Sequence, residues 1–299
     1  RAPQDTSWEP DFSAYYDDIE IPEGAGIDHH GVMKIPTGYY HFRRMVSPLR
    51  NAASFEDIAA FPFPDMAGFT EEHMASQVQE AHAAGRVVKG RVGHMYETAW
   101  QIRGYEQFLE DTMLRPEWCE YILDRLMEEN IRKAEAAARA GADYLHTGDD
   151  VANQNTLMFP PEHWRHFMKS RWAKVYEAAR RIKPDIAIWY HSDGNITDII
   201  PELIEIGVTI LNPVQPECMD VNDIKKKWGD KLVLDGTIGT QSTMPFASPA
   251  QVRKTVNERK RELGRDGALI LSPTHVLEPE VPPENIDAFA EAAKDEEKR

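Results

Sequence analysis

Cysteine is nearly absent: the 299-residue chain has two, Cys119 and Cys218. Two thiols cannot build a disulfide framework, and such usage fits a reducing cytoplasm. Long apolar runs are absent as well, none reaching the roughly 18 residues that a membrane helix needs. Positive charge is scarce. Lys and Arg number 34 against 50 Asp and Glu, for a formal net charge of −16. Such a surface repels nucleic acid and anionic lipid and argues against both as partners. No Gly-x-Gly-x-x-Gly follows any apolar run, which removes support for a dinucleotide-binding sheet. The chain starts at Arg1 with no apolar leader core, as expected where a leader was removed or the N-terminus trimmed.

What is present is a globular composition, 41% hydrophobic and 28% charged, in a chain long enough for a large core. From about residue 85 short apolar runs alternate with longer stretches of helical periodicity. The runs are 86–93, 143–148, 186–191, 208–213, 231–236 and 268–273. Within 117–140, Leu123, Met127 and Ile131 are four apart with Ile122 and Leu126 beside them, a broad apolar stripe on one helix. The connectors "ARAGADYL" and "IEIGVTIL" each end a helix on Gly and launch a strand at once. Strands that are almost wholly apolar are covered on both faces, which indicates a parallel sheet. Six βα units in a row, with no break, favour an α/β fold of the (β/α)8 TIM-barrel type in one domain spanning 1–299. Regular βα units are expected over 81–299, and irregular loops and hairpins capping the barrel mouth over 1–80. The strand count is two short of eight, so a first strand preceding Arg1 is part of the expectation.

In a barrel the C-terminal ends of the strands converge on one mouth. Here those ends carry His94 and Glu97; His146, Asp149 and Asp150; His191 and Asp193; Asn212, Gln215 and Glu217; Asp235 and Thr237; and Ser272 and His275. A structural mouth would not need so many ionisable and amide groups, so the pattern indicates an enzyme acting on a small molecule. In "IWYHSDGN", His191 and Asp193 are two apart and project to the same side of a strand. Imidazole and carboxylate together suit a divalent metal, zinc first, with His275 as a third ligand and an open position for chemistry. The plainer reading has His191 bonded to a carbonyl and Asp193 capping the next helix. Glu97, Asp149 and Asp150 are the acid–base candidates, Glu97 and Asp150 being the better bases and Glu97 also a fourth-ligand candidate. His146, Asn212, Gln215 and Asp235 are expected to position substrate. Cys218 is a reserve ligand. His29 and His30 read as solvated or stacked on loop aromatics, and Trp residues on the helices as core or rim. The aromatics of "TGYYHF" suit an oligomer interface or a pocket lining equally.

The segments "GDD", "HSDGN", "GVTILNPVQPE", "LDGTIGTQ" and "SPTHVLEPEVPPENI" resemble the uroporphyrinogen decarboxylase-like superfamily over roughly residues 85–295. The resemblance implies a TIM barrel with its site at the C-terminal mouth, and two chemistries. On the methyltransferase side it implies a zinc site of His-x-Cys plus a later Cys, with a corrinoid carried by a partner protein. Asp193 stands at the first Cys position and His275 at the later one, so the implied set is His191, Asp193 and His275. Harder ligands leave the metal more Lewis-acidic than two thiolates would, which suits an oxygen or ether substrate, as in O-demethylation. On the decarboxylase side it implies metal-free decarboxylation of a tetrapyrrole bound through an Arg-rich N-terminal motif. No such motif is evident; the nearest basic pair is Arg43 and Arg44. The expectation is therefore a cytoplasmic, metal-dependent, corrinoid-linked methyltransferase. The alternatives are the decarboxylase and a non-catalytic ligand-binding barrel serving a corrinoid protein.

Overall fold

The computed structural model describes residues 10–39, 42–66 and 68–295. Tyr40 and His41 of the aromatic segment lie outside the described residues. In chain order the strands are β1 Gly26–Ile27, β2 Met33–Pro36, β3 Arg43–Val46, β4 Lys89–Gly93, β5 Tyr144–Gly148, β6 Ala187–His191, β7 Ile210–Val214, β8 Val233–Ile238 and β9 Leu269–Pro273. The helices are α1 Phe55–Ala59, α2 Glu72–Ala83, α3 Tyr96–Arg103, α4 Tyr105–Leu114, α5 Pro116–Ala140, α6 Pro161–Trp164, α7 Ser170–Ile182, α8 Ile200–Ile206, α9 Val221–Trp228, α10 Thr243–Phe246, α11 Pro249–Leu263 and α12 Pro283–Lys294. Each of the six expected strands is present, β4 to β9. No helix among the described residues is long and apolar enough to cross a membrane.

The chain divides into two compact units. The first holds residues 1–149 and 163–186; the second holds 150–162 and 187–299. In the first, β1, β2 and β3 form an antiparallel meander, and β4 pairs with β5 in parallel. The region before β4 holds this meander and helices α1 and α2.

Helix α5 organises this unit. Pro116 opens it, where a missing N–H costs nothing. Gly141 ends it in the left-handed region (φ 92°), its N–H bonded to the Ala137 and Ala138 carbonyls. The stripe of Ile122, Leu123 and Leu126 is buried as its spacing predicts. A buried ion pair joins the neighbouring helices: Arg103 Nε donates to Asp111 Oδ2 at 2.7 Å, and its other arm donates to the Leu49 carbonyl at 2.6 Å. One expectation fails here. His30 is buried rather than solvated, with Nε2 2.9 Å from Glu129 of α5.

In the second unit β6, β7, β8 and β9 pair in sequence, all parallel. Gly207 ends α8 in the left-handed region (φ 106°) and the chain enters β7 directly, as the sequence connector predicts. Behind β8 a core of Ile238, Met244, Val252, Val256 and Ala288 closes the unit against α11 and α12.

Arg103→Ala leaves Asp111 buried with only Arg115, 2.9 Å away, as a cationic partner. Loss of one member of such a pair should cost ~3 kcal/mol in urea unfolding. A loss below ~1 kcal/mol would mean that the pair does not hold α3 to α4.

Candidate functional site

In the second unit, β6 delivers His191 and the chain then turns through Ser192, Asp193 and Gly194. The turn is lashed to the segment that follows β5. Ser192 Oγ accepts from Val151 N at 3.2 Å, Asp193 N donates to Asp150 Oδ1 at 2.8 Å, and Asn195 N donates to the Asn153 carbonyl at 2.8 Å. Gly194 has φ +86°, and a Cβ there would sit 2.5 Å from the Asn153 carbonyl oxygen. Its N–H donates to Gln215 Oε1 at 2.6 Å. The sequence put Gly194 where the chain must turn; the close approach of 152–153 is the tertiary reason.

His191 is fixed on both sides. Its Nδ1 lies 2.7 Å from Asn212 Oδ1, its partner in the β6–β7 register, and its ring stacks on Trp189 at 5.7 Å and 11°. With Nδ1 donating to Asn212, Nε2 faces Asp150, 3.5 Å from its Oδ1. Ligand atoms of Asp150, His191 and Asp193 all fall within 4.8 Å of one another. His275 Nε2 is 3.7 Å from Asp193 Oδ2. Two ligand atoms sharing a tetrahedral ion at 2.0–2.2 Å are separated by about 3.3–3.6 Å. The His191–Asp150 separation falls in that range and His275–Asp193 lies just beyond it, and an imidazole held by an amide at its far nitrogen is the usual orientation of a metal-binding histidine. The sequence set of His191, Asp193 and His275 is brought together pairwise through Asp193. Asp150, expected as a base, joins the donor cluster.

Other expected residues take supporting positions. Asp235 is 7% exposed and accepts from Trp189 Nε1 at 2.7 Å and Ser272 Oγ at 2.9 Å, so it steadies the indole that stacks on His191. Gln215 is 4% exposed and holds the Gly194 turn. Cys218 Sγ lies 3.5 Å from Gln215 Oε1. Thr237 went unread as special. It is fully buried with φ +75°, an outlier for a β-branched residue and a mark of local strain. No sequence signal other than its place between Gly236 and Ile238 hints at it.

In the first unit a second constellation forms where β4 meets α3. Asp149, after β5, is fully buried. Its Oδ1 accepts from Met95 N at 2.7 Å and Glu97 N at 3.2 Å, and its Oδ2 from Trp172 Nε1 at 3.0 Å. Burial pushes its carboxyl up to about 7; His94 and the two backbone donors pull the other way. Ahead of it, His94 Nδ1 contacts Glu97 Oε2, both side chains being partly exposed. His146 sits half-buried on β5, opposite Arg91 of β4. Trp172 was read as core or rim. It stacks on Tyr176 one turn later at 5.6 Å, so core spacing masked its hydrogen-bonding role.

A family profile described as Uroporphyrinogen decarboxylase (URO-D) matches residues 55–296. A uroporphyrinogen decarboxylase of Hydrogenovibrio crunogenus is 23% identical over 186 residues, 60% of this chain and 48% of that protein. One from Serratia proteamaculans is 33% identical over 73 residues, 24% of this chain and 20% of that protein. The chain thus spans about half the length of the first relative and a fifth of the second. Among solved structures, a methyltransferase from Methanosarcina mazei superposes with a TM-score of 0.59 at 20% identity, covering 78% of this chain and 69% of that one. At that identity the likeness speaks for the fold alone, which is of the (β/α)8 TIM-barrel class.

Gly194→Ala should destabilise the protein by about 1–3 kcal/mol, because a Cβ is forced into both a left-handed conformation and a carbonyl oxygen. A loss under ~0.5 kcal/mol in denaturant unfolding would show that the turn is not clamped as described.

Proposed function

The chain belongs to the uroporphyrinogen decarboxylase family, and from that premise we propose that it is a metal-dependent methyltransferase acting on a small molecule. The observation that carries this reading is the convergence of Asp150, His191 and Asp193 within 4.8 Å, with His191 Nδ1 already committed to Asn212. His191, Asp193 and Asp150 would hold a divalent ion, zinc first, with His275 beside Asp193 as a further donor. When bound, that ion supplies Lewis acidity to an oxygen or sulfur of the substrate.

The other assignments belong to the side chains themselves. Asn212 fixes the His191 tautomer. Trp189, held by Asp235, stacks on one face of the imidazole. Gln215 holds the Gly194 amide and so the direction of Asp193. In the first unit, Glu97 with His94 is the accessible proton-transfer pair. Asp149 is too buried to meet substrate and sets the start of α3. His146 is retained as a substrate contact. A methyl group arriving at or leaving the substrate needs a carrier, and a corrinoid on a partner protein is the carrier proposed. A cytoplasmic location goes with this reading.

A second reading is favoured by the names of the two curated relatives, both uroporphyrinogen decarboxylases. It is metal-free decarboxylation of a tetrapyrrole. The two readings part on one experiment. Metal analysis should find about one zinc per chain fewer in His191→Ala and in Asp193→Ala than in the unaltered protein, with the fold retained. Methylation of free cob(I)alamin from methoxylated and methylthio donors, followed by absorbance, should depend on that zinc. A zinc content equal to that of the unaltered protein in both folded variants would remove the ligand assignment. Release of carbon dioxide from uroporphyrinogen, indifferent to chelators, would install the decarboxylase instead.

A further inference from the structure

The first unit contains a donor cluster that the proposed reaction does not use. Asp28 shapes the turn after β1: its Oδ1 accepts from His30 N and Val32 N, each at 3.0 Å. Neighbouring side chains on an extended strand point to opposite faces. This turn instead sends the imidazoles of His29 and His30 the same way, their ring centroids 3.9 Å apart. Both face one carboxylate, Glu129 of α5, whose side chain is 3% exposed. His30 Nε2 lies 2.9 Å from Oε2 and His29 Nε2 lies 3.8 Å from Oε1.

We propose that His29, His30 and Glu129 form a second divalent-metal site that clamps the β1–β2 turn to α5. This does not rest on the proposed activity. The three ligand atoms lie within 4.8 Å of one another. His30 hydrogen-bonds Glu129 at 2.9 Å and His29 stands at 3.8 Å, so a tetrahedral zinc, which sets its ligands about 3.3–3.6 Å apart, needs shifts of only about half an ångström. A single histidine would satisfy Glu129 as an ion pair. The second lies at ion-pair distance, 3.8 Å, too long for a good hydrogen bond, and an ion between the two rings and the carboxylate would engage both. His29 is 44% exposed, which gives the ion an entry path and leaves room for water as a fourth ligand.

Lys133 is the competing occupant. One turn along α5, its ammonium contacts Glu129 Oε1. Its side chain is 21% exposed, so it can swing to solvent, and it meets only one of the two carboxylate oxygens. Lys133 therefore weakens the site without blocking it. The remaining charged group at the turn, Asp28, pairs with Lys34 at 2.9 Å and is not a donor to the cluster. The chemistry is two imidazoles and a carboxylate, a borderline set that takes Zn2+ or Co2+ ahead of Mg2+ or Ca2+.

The test starts from protein carrying His191→Ala, Asp193→Ala and His94→Ala, which breaks the donor cluster of the proposed function and the third cluster of His94, Glu97 and Asp149, so failure here is distinct from failure of the proposed function. Cobalt chloride is titrated and followed by its visible absorption, with zinc as competitor. One equivalent should bind, with the absorption of a low-symmetry site. Adding His29→Ala, an exposed change that spares the fold, should weaken binding at least roughly tenfold. Adding Lys133→Met should tighten it. His30→Ala should abolish it, and a melt beside the titration separates lost ligation from unfolding. No saturable cobalt binding up to about 1 mM, or an affinity unchanged by His29→Ala, overturns the proposal.

Discussion

Asp149 is the constraint on which the start of α3 in the first unit depends. A fully buried carboxylate is costly unless it is hydrogen-bonded, and this one takes two backbone N–H groups and an indole N–H. The two backbone donors are Met95 and Glu97, at the start of α3. The carboxylate thus does there what a capping residue does elsewhere, and fixes the phase of the helix that carries Glu97. The indole is Trp172, on α7. One side chain sets the relation of β5, α3 and α7, and so where the His94–Glu97 pair points.

The second unit solves a related problem differently. Two of its donors, His191 and Asp193, lie on one turn, and the turn is held by hydrogen bonds to residues 150–153. Parallel strands make such convergence cheap: every strand runs the same way, so every strand end falls on the same side. What the fold adds is restraint. Asn212 sets the imidazole, Trp189 covers it, and Asp235 holds Trp189. The expected ligands and the expected substrate residues are largely one hydrogen-bonded assembly, in which amide and carboxylate groups orient the His191 ring.

The sequence made part of this legible. His191 and Asp193 stood out because a two-residue spacing at the end of an apolar run has a geometric meaning that needs no partner. Gly141 and Gly207 marked helix ends for the same local reason. Trp172 and Thr237 did not stand out. An indole at helical spacing looks the same whether its N–H meets a carboxylate or solvent, and a threonine in a strand gives no sign of a positive φ. His30 was misread because adjacent histidines in a turn-rich segment look solvated until α5 is laid beside them, with Glu129 99 positions further on.

By itself, then, the sequence determined the alternation of strand and helix, the parallel pairing, the chemical character of the strand ends and the acidic surface. Those are properties of periodicity and composition, which act over a few residues. Tertiary structure decided which donors share a centre: Asp150 with His191 and Asp193, Glu129 with the paired histidines, Trp172 with Asp149. Each of these contacts joins residues far apart in the chain, or across a turn whose path is set by packing, and no local rule encodes that distance.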